Sequence, residues 1–173
     1  CESVLDLCCG SGIQGILASR YSKSILAVDI NPRAIRFARF NAQLNGLENY
    51  EVIIGDLYKS VKDQSFDVII ANPPFVPSPD QNIRFRDGGN NGEEILQDII
   101  SGASDHLNDQ GRLCIVSDLV DVNSYHLKLN KWWGSSGINA LVLKTADGNE
   151  ILFSVAHCKS PFDQKYQDYN KEM

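Results

Sequence analysis

Short apolar runs alternate with helical patterns along this chain, and the alternation constrains the fold more than any other feature. Runs typical of strands are predicted at residues 3–7, 25–29, 50–54, 66–71 and 112–117. Helical patterns are predicted between and after them, at residues 13–21, 32–44, 93–107 and 122–132. This order indicates an α/β fold, a Rossmann-like doubly wound sheet whose first five strands are parallel.

The C-terminal part of the chain favours a different arrangement of strands. Residues 140–145 and 150–157 have strand character and flank Asp147-Gly148, a dipeptide typical of a tight hairpin turn. The prediction is therefore a seven-stranded sheet, with five parallel strands and a C-terminal antiparallel hairpin. With 173 residues in total, we expect one domain over residues 1–158 and a polar tail over residues 159–173.

Composition and charge exclude several classes of protein. The 16 basic and 22 acidic residues give a net charge of −6, which disfavours a domain that binds nucleic acid by phosphate contacts alone. The longest purely apolar runs are only a few residues, far too short for a membrane span. The five cysteines are odd in number and none are spaced like zinc ligands, which indicates reduced thiols in a cytoplasmic protein without a metal site.

The start of the chain indicates that it is part of a longer protein. Residue 1 is Cys rather than Met, and strand character begins within three residues of it. Because a natural domain seldom starts inside its core, we expect an upstream N-terminal region in the parent protein.

Glycines follow the first predicted strand at Gly10, Gly12 and Gly15. Alone, this Gly-x-Gly-x-x-Gly spacing is weak evidence for a nucleotide, because any close strand-to-helix turn can use it. Asp29 strengthens the nucleotide interpretation: it ends the second strand 17 residues after Gly12, where a carboxylate can accept both hydroxyls of a ribose. Ile30 follows it and is a further candidate for cofactor contact.

Two more acidic residues lie at predicted strand ends. Asp6 precedes the glycines, where a carboxylate would oppose a pyrophosphate but suit a cationic ligand, so it favours S-adenosylmethionine over a dinucleotide. The alternative for Asp6 is a buried acid that caps the following turn. Asp56 ends the third strand and could accept the adenine amine while Leu57 packs on the purine; the alternative is a simple turn aspartate.

The strongest signal is Asn72-Pro73-Pro74-Phe75, directly after the fourth strand. A residue before proline is kept out of the helical region, so Asn72 and Pro73 are both extended. The amide oxygen of Asn72 and the carbonyl of Pro73 can then grip one NH₂ group beside a methyl donor, and Phe75 can stack on a planar substrate. The alternative is a proline-stiffened strand exit with a core phenylalanine.

These motifs in this order resemble the class I S-adenosylmethionine-dependent methyltransferases. More narrowly, they resemble the amino-methylating branch with an Asn-Pro-Pro-aromatic tetrapeptide and a methyltransferase small domain, including glutamine-N5, adenine-N6 and ribosomal RNA guanine-N2 methyltransferases. The resemblance covers roughly residues 3–158. It implies that S-adenosylmethionine is bound by Asp6, Cys8, Gly10, Gly12, Asp29, Ile30, Asp56, Leu57 and Asn72. It implies that the substrate amine is held by Asn72, Pro73, Pro74 and Phe75.

The resemblance also implies a substrate class. This family usually has Gly where the chain has Cys8. Residues 84–92 resemble the glycine-rich insert of glutamine-N5 members, and Arg84 and Arg86 are candidates there for holding a phosphate or carboxylate. We expect an N-methyltransferase for protein glutamine first and an RNA or DNA base amine next, with a small molecule as a further candidate acceptor. The alternatives are an NAD-type oxidoreductase and a non-catalytic cofactor-binding interaction domain.

Overall fold

Five parallel strands form a single sheet in the computed structural model, which describes residues 1–77, 86–119, 122–134, 139–144 and 146. The strands are β1 Ser3–Leu7, β2 Ser24–Asp29, β3 Tyr50–Ile54, β4 Phe66–Ala71 and β5 Leu107–Ile115. Their order across the sheet is β3-β2-β1-β4-β5. The direction of winding reverses between β1 and β4, and ligands of such sheets bind beyond the carboxyl ends of the strands at that point.

Four α-helices are present in the described residues, α1 Ile13–Ala18, α2 Pro32–Leu44, α3 Glu94–Ala103 and α4 Tyr125–Trp133, with 3-10 turns at Ser19–Tyr21 and Leu57–Ser60. The start of α2 shows how local sequence determines where a helix begins. The Asn31 side chain accepts a hydrogen bond from the Arg33 N–H at 2.9 Å, and Pro32 occupies the first helical position, where no N–H is needed. Both features support the predicted helix, and its observed bounds, Pro32–Leu44, are the predicted ones.

The core lies along the central strands. Leu5, Leu7 and Ile69 have no exposed surface, and Ile25 and Val28 are at most 2 % exposed. Burial of each such side chain contributes about 2 kcal/mol relative to an exposed position. A rigid central sheet results, and the loops at its carboxyl edge start from fixed positions.

The boundary between α3 and β5 differs from the prediction. The helix ends at Ala103 rather than at residue 107, and β5 begins at Leu107 rather than at residue 112. Leu107 pairs with Phe66, and the register then shifts before Val68 pairs with Arg112. An apolar residue at position 107 fits a helical pattern and a strand equally well, and pairing across the sheet decides in favour of the strand.

The predicted C-terminal hairpin is not seen in the described residues. Residues 139–144 form no strand, and residues 147–157, which include its turn and second strand, lie outside the described residues. The hairpin therefore stays a prediction. Within the described ranges, no helix combines the length and the apolar character that crossing a bilayer requires.

The chain divides into two compact units. The first comprises residues 1–73 and 98–117 and contains the whole sheet; the second comprises residues 74–97 and those after 117. In the second unit, Val76 forms an isolated parallel bridge with Asp87, and Tyr125 packs edge-on against Trp132 at 6.0 Å between ring centres.

Candidate cofactor and substrate site

The glycine loop after β1 adopts a backbone that few residues tolerate. Gly10 and Gly12 have φ values of 55° and 84°, in the left-handed region. The Gly12 N–H donates to the Cys9 carbonyl at 2.7 Å, and a Cβ on Gly12 would lie 2.7 Å from the Tyr50 hydroxyl oxygen. Gly12 is therefore required both by its φ and by the side chain beneath it.

Cys8 shares this left-handed conformation, with φ 54°. Glycine is unstrained there, whereas a residue with a Cβ is not, which explains why glycine is expected at this position. The register that pairs Leu7 with Ala71 also means that Cys8 and Asn72 leave adjacent strands side by side. Two residues predicted for the site from distant parts of the sequence are thus brought to the same point of the sheet edge.

Asp29 joins the ends of β1 and β2. Its Oδ2 accepts a hydrogen bond from the Gly10 N–H at 2.9 Å, and its Oδ1 accepts one from the Asn31 N–H at 2.8 Å. An ionised carboxylate accepts about four hydrogen bonds, so capacity remains for the hydroxyls of a ribose. Ile30 beside it is 51 % exposed and offers an apolar surface at the same edge.

Asp6 is completely buried beneath the loop. Its Oδ2 accepts a hydrogen bond from the Gly15 N–H at 2.9 Å, and its Oδ1 has no partner among the described residues. Burial raises the pKa of Asp6 to about 7, the Gly15 hydrogen bond lowers it in part, and the charge of Asp29 raises it again. Asp6 thus caps the turn, as in the alternative stated above, and its contact with a cationic ligand stays a prediction.

The raised pKa of Asp6 predicts a pH-dependent stability. From its usual pKa of 3.8 up to about 7, the unfolded chain ionises while the folded chain keeps the proton, so the free energy of unfolding falls as pH rises through this window. Replacing Asp6 with Asn keeps an acceptor for Gly15 and removes the buried charge. Its buried NH₂ offsets part of the gain, and we expect D6N to be more stable than wild type at pH 8 by about 2 kcal/mol.

Urea unfolding of wild type and D6N between pH 4 and 8 measures this effect. The exposed Asp63 provides the matched control, because D63N removes a carboxylate that is solvated in both states. Parallel pH profiles for wild type and D6N would contradict the assignment of the buried proton to Asp6.

Three carboxylates at the ends of β1, β2 and β3 act on the Cys8 thiol through their charge. Burial raises the pKa of Cys8 most, the negative charges of Asp29, Asp6 and Asp56 raise it less in that order, and together they bring it to about 12. The thiol is therefore neutral at physiological pH and is not a nucleophile. The same negative charge favours a cationic ligand at this edge of the sheet.

Asp56 and Leu57 follow β3 and begin the 3-10 turn. Asp56 forms an ion pair with Lys59 at 2.5 Å, in which Lys59 is exposed and Asp56 is half-exposed, so the pair contributes little to stability. Leu57 is half-buried with φ 47°, a strained conformation for a leucine. Tyr58 fixes the turn from below, since its hydroxyl donates to the Ile99 carbonyl at 2.8 Å. The contact of Asp56 and Leu57 with adenine stays a prediction, but the turn that carries both residues is held in place by Tyr58.

Asn72 follows β4 directly and is exposed. Among the described residues its side chain takes no hydrogen-bond partner, whereas Pro73 is less than 2 % exposed. The strand that leads to this point is secured by β5, because the Val116 N–H donates to the Ala71 carbonyl at 3.0 Å. A free amide group thus stands on a fixed backbone at the carboxyl edge of the sheet.

Pro74 and Phe75 begin the second unit and are both half-buried. Phe75 is therefore not a fully buried core residue, and part of the residue is accessible. The Val76 N–H that follows donates to the Arg86 carbonyl at 2.9 Å. This hydrogen bond ties the end of the tetrapeptide to the glycine-rich segment.

The two arginine candidates have different outcomes. Arg84 lies outside the described residues. Arg86 Nε donates to Asp87 Oδ1 at 2.7 Å, and the Asp87 side chain is only 1 % exposed. Asp87 neutralises the guanidinium, which disfavours a second, substrate-derived anion on Arg86.

Sequence reasoning missed Tyr50. Its hydroxyl donates to the Gly12 carbonyl at 3.3 Å, and a Cβ on Gly15 would lie 2.8 Å from its ring. Burial and the nearby charge of Asp6 raise the pKa of Tyr50, which keeps the hydroxyl protonated as a donor. The residue opens an ordinary strand pattern, so the sequence contains no signal for this contact.

The fold and the site together define the class: a Rossmann-like α/β domain with a glycine loop and acidic strand ends. The Methyltransferase small domain profile matches residues 1–138, and the chain belongs to this family of S-adenosylmethionine-dependent methyltransferases. It is 35 % identical to the ribosomal protein uL3 glutamine methyltransferase of Bradyrhizobium diazoefficiens, over 69 % of this chain and 43 % of that protein. It is 34 % identical to ribosomal RNA small subunit methyltransferase C of Escherichia coli, over 66 % of this chain and 31 % of that protein.

A solved structure gives the same result. The crystal structure of the ribosomal protein L11 methylase of Lactobacillus delbrueckii subsp. bulgaricus superposes with a TM-score of 0.60 at 30 % identity, covering 75 % of this chain and 58 % of that one. The chain spans between 31 and 58 % of the length of the curated relatives named first among its matches. The comparisons therefore confirm the predicted family, and they leave the substrate open.

Proposed function

We propose that this protein is an N-methyltransferase that acts on a side-chain amide nitrogen, with protein glutamine as the favoured acceptor. The observation that carries this proposal is the exposed amide of Asn72 at the carboxyl end of β4, next to the buried Pro73; this amide has no hydrogen-bond partner among the residues that the structure describes. An amide in that position has acceptor capacity for a substrate N–H, and the hydrogen bond from Val116 to the Ala71 carbonyl holds the backbone that precedes it.

The residues at the sheet edge fit S-adenosylmethionine. Asp29 is placed to accept the ribose hydroxyls, Asp56 to accept the adenine amine, and the loop around Gly10 to lie along the methionine part. A Cβ on Gly10 would have nothing within 4 Å, so space is open above the loop. The carboxylates that raise the pKa of Cys8 suit the positive charges of this cofactor. When bound, the cofactor supplies an electrophilic methyl group.

The tetrapeptide supplies what an amide nitrogen lacks. Such a nitrogen is a poor nucleophile because its lone pair is delocalised into the carbonyl. Asn72 Oδ1 and the Pro73 carbonyl would accept its two N–H groups, hold the nitrogen and favour a pyramidal geometry. This contribution is positional and electrostatic, and the proton leaves after attack, so no strong base is needed.

Two acceptor classes remain, and the chain favours one. The net charge of −6 favours a protein over a nucleic acid, and the name of the Bradyrhizobium relative specifies a glutamine in a ribosomal protein. The second candidate is a base amine of ribosomal RNA, which the name of the Escherichia coli relative supports. Both acceptors present a planar NH₂ group to the same two oxygens.

The test is transfer of a labelled methyl group from S-adenosylmethionine to separated ribosomal proteins and, in parallel, to ribosomal RNA. We expect label in protein that yields N5-methylglutamine on hydrolysis and mass spectrometry. Label in a base amine alone would favour the second candidate. Transfer only to oxygen or carbon would contradict the proposal, as would thermal stabilisation by NADH but not by S-adenosylhomocysteine.

A further inference from the structure

The glycine-rich segment of residues 88–92 packs directly on the backbone of the tetrapeptide and the residues after it. A Cβ on Gly88 would lie 2.6 Å from the Pro74 carbonyl oxygen and 2.9 Å from the Phe75 Cα. A Cβ on Gly92 would meet the Phe75 carbonyl oxygen and lie 2.9 Å from the Pro77 ring. Backbone contacts as close as these leave no room for any side chain at position 88 or 92.

Hydrogen bonds hold the two segments in register. The Val76 N–H donates to the Arg86 carbonyl, and the Gly88 N–H donates to the Val76 carbonyl, both at 2.9 Å. Asp87 between them is buried and paired with Arg86. The chain after Phe75 is therefore bound to the glycine-rich segment on both sides of Val76.

The far end of the segment is anchored as well. The Glu94 N–H donates to the Gly88 carbonyl at 3.2 Å, and the Asn90 N–H donates to Glu94 Oε1 at 3.0 Å. Glu93 is 5 % exposed, and both of its carboxylate oxygens accept hydrogen bonds from Lys128 Nζ, at 2.9 and 2.8 Å. This buried ion pair ties the residue after the segment to α4 and opposes displacement of the glycines by a side chain.

We propose that Gly88 and Gly92 are positioning residues for the substrate amine. The inference rests on the proposed function. Phe75 sits between the two glycine contacts, which set the position of its Cα and carbonyl and so the backbone from which its ring projects. The glycine-rich segment thereby presets the aromatic side chain on which a planar amide would stack.

Alanine substitutions test this with a matched control in the same unit. Gly92 has φ 76° in a crowded site, whereas Gly134, at the end of α4, has φ 69° with nothing within 4 Å of a Cβ. The two carry similar backbone strain on substitution and differ in crowding. We expect G88A and G92A to lower kcat by roughly 10- to 100-fold, and G134A to leave it within about twofold of wild type.

Two further readouts separate positioning from general damage. S-adenosylhomocysteine affinity should stay within about threefold of wild type in both variants, because the last residue assigned to the cofactor is Asn72, which precedes the residues that the two glycines contact. In an F75L background, the effect of G88A on kcat should shrink to about threefold or less, because the aromatic ring of Phe75, which the glycines are proposed to position, is already absent.

The outcomes are distinct. Wild-type kcat in a folded G88A or G92A variant overturns the inference, as does an undiminished G88A effect in the F75L background. If neither alanine variant folds, E93Q loosens the anchor instead. Faster amide exchange at Val76 and Gly88 with a lower kcat supports the inference, and faster exchange with unchanged kcat overturns it. Absence of nitrogen methylation by wild type itself would instead show that the proposed function is wrong, and the inference would fall with it.

Discussion

Replacing Asn72 with alanine is expected to lower kcat for amine methylation by about 100- to 1000-fold. The loss follows from removal of one of two fixed acceptors whose hydrogen bonds strengthen as positive charge develops on the nitrogen during attack. The exposed side chain has no hydrogen-bond partner among the described residues, so the substitution breaks no internal contact and the free energy of unfolding should change by less than about 0.5 kcal/mol. Steady-state kinetics measure the effect, with the unmethylated form of the protein that the labelling experiment identifies as the acceptor.

The matched control is Asn45, an exposed asparagine at the end of α2 whose amide donates to the Asn41 carbonyl. N45A removes the same group far from the tetrapeptide and should leave kcat unchanged. N72D restores an acceptor oxygen and should recover part of the activity. A folded N72A variant with wild-type kcat would contradict the role of Asn72, and would favour the alternative of a cofactor-binding interaction domain.

The sequence predicts the sheet where local signals coincide with tertiary ones. β1, α2, β3 and β4 have the predicted bounds, because caps and turns such as Asn31-Pro32 and Asn45-Gly46 terminate the apolar patterns on both sides. The α3–β5 boundary was predicted wrongly. Leu107 pairs with Phe66 on a strand far away in the sequence, and no local pattern reports that pairing.

The candidate site shows the same division. Residue types at strand ends indicate which groups gather at the sheet edge, since parallel strands bring their carboxyl ends together. The orientation of each group depends on neighbours that the motifs do not name. Asp6 is turned toward the Gly15 N–H, Tyr50 supports Gly12 from another strand, and Arg86 is neutralised by Asp87. These contacts are set by packing, and a single sequence contains no record of them.

Replacing Asp29 with alanine is expected to weaken S-adenosylhomocysteine binding by about 100-fold or more. Two losses combine. The carboxylate that would accept the ribose hydroxyls is removed, and the Gly10 and Asn31 N–H groups lose their acceptor, so the glycine loop is no longer tied to the end of β2. Hydrogen bonds to a charged group contribute about 1.5–3 kcal/mol each where water does not replace them. Because Asp29 is only half-buried, water compensates in part, and we expect about 2 kcal/mol of lost folding stability.

Titration calorimetry with S-adenosylhomocysteine, together with urea unfolding, separates these two losses. D29N keeps one acceptor oxygen for the loop and should recover most of the stability, but it offers the ribose one carbonyl oxygen in place of a carboxylate, so binding should stay at least about tenfold weaker than in wild type. D63A removes an exposed carboxylate of the same charge and should change neither quantity. If D29A bound S-adenosylhomocysteine as wild type does, the ribose would have to lie elsewhere. The carboxylate of Asp29 would then have a structural role only, as the hydrogen-bond acceptor that links the loop after β1 to the end of β2.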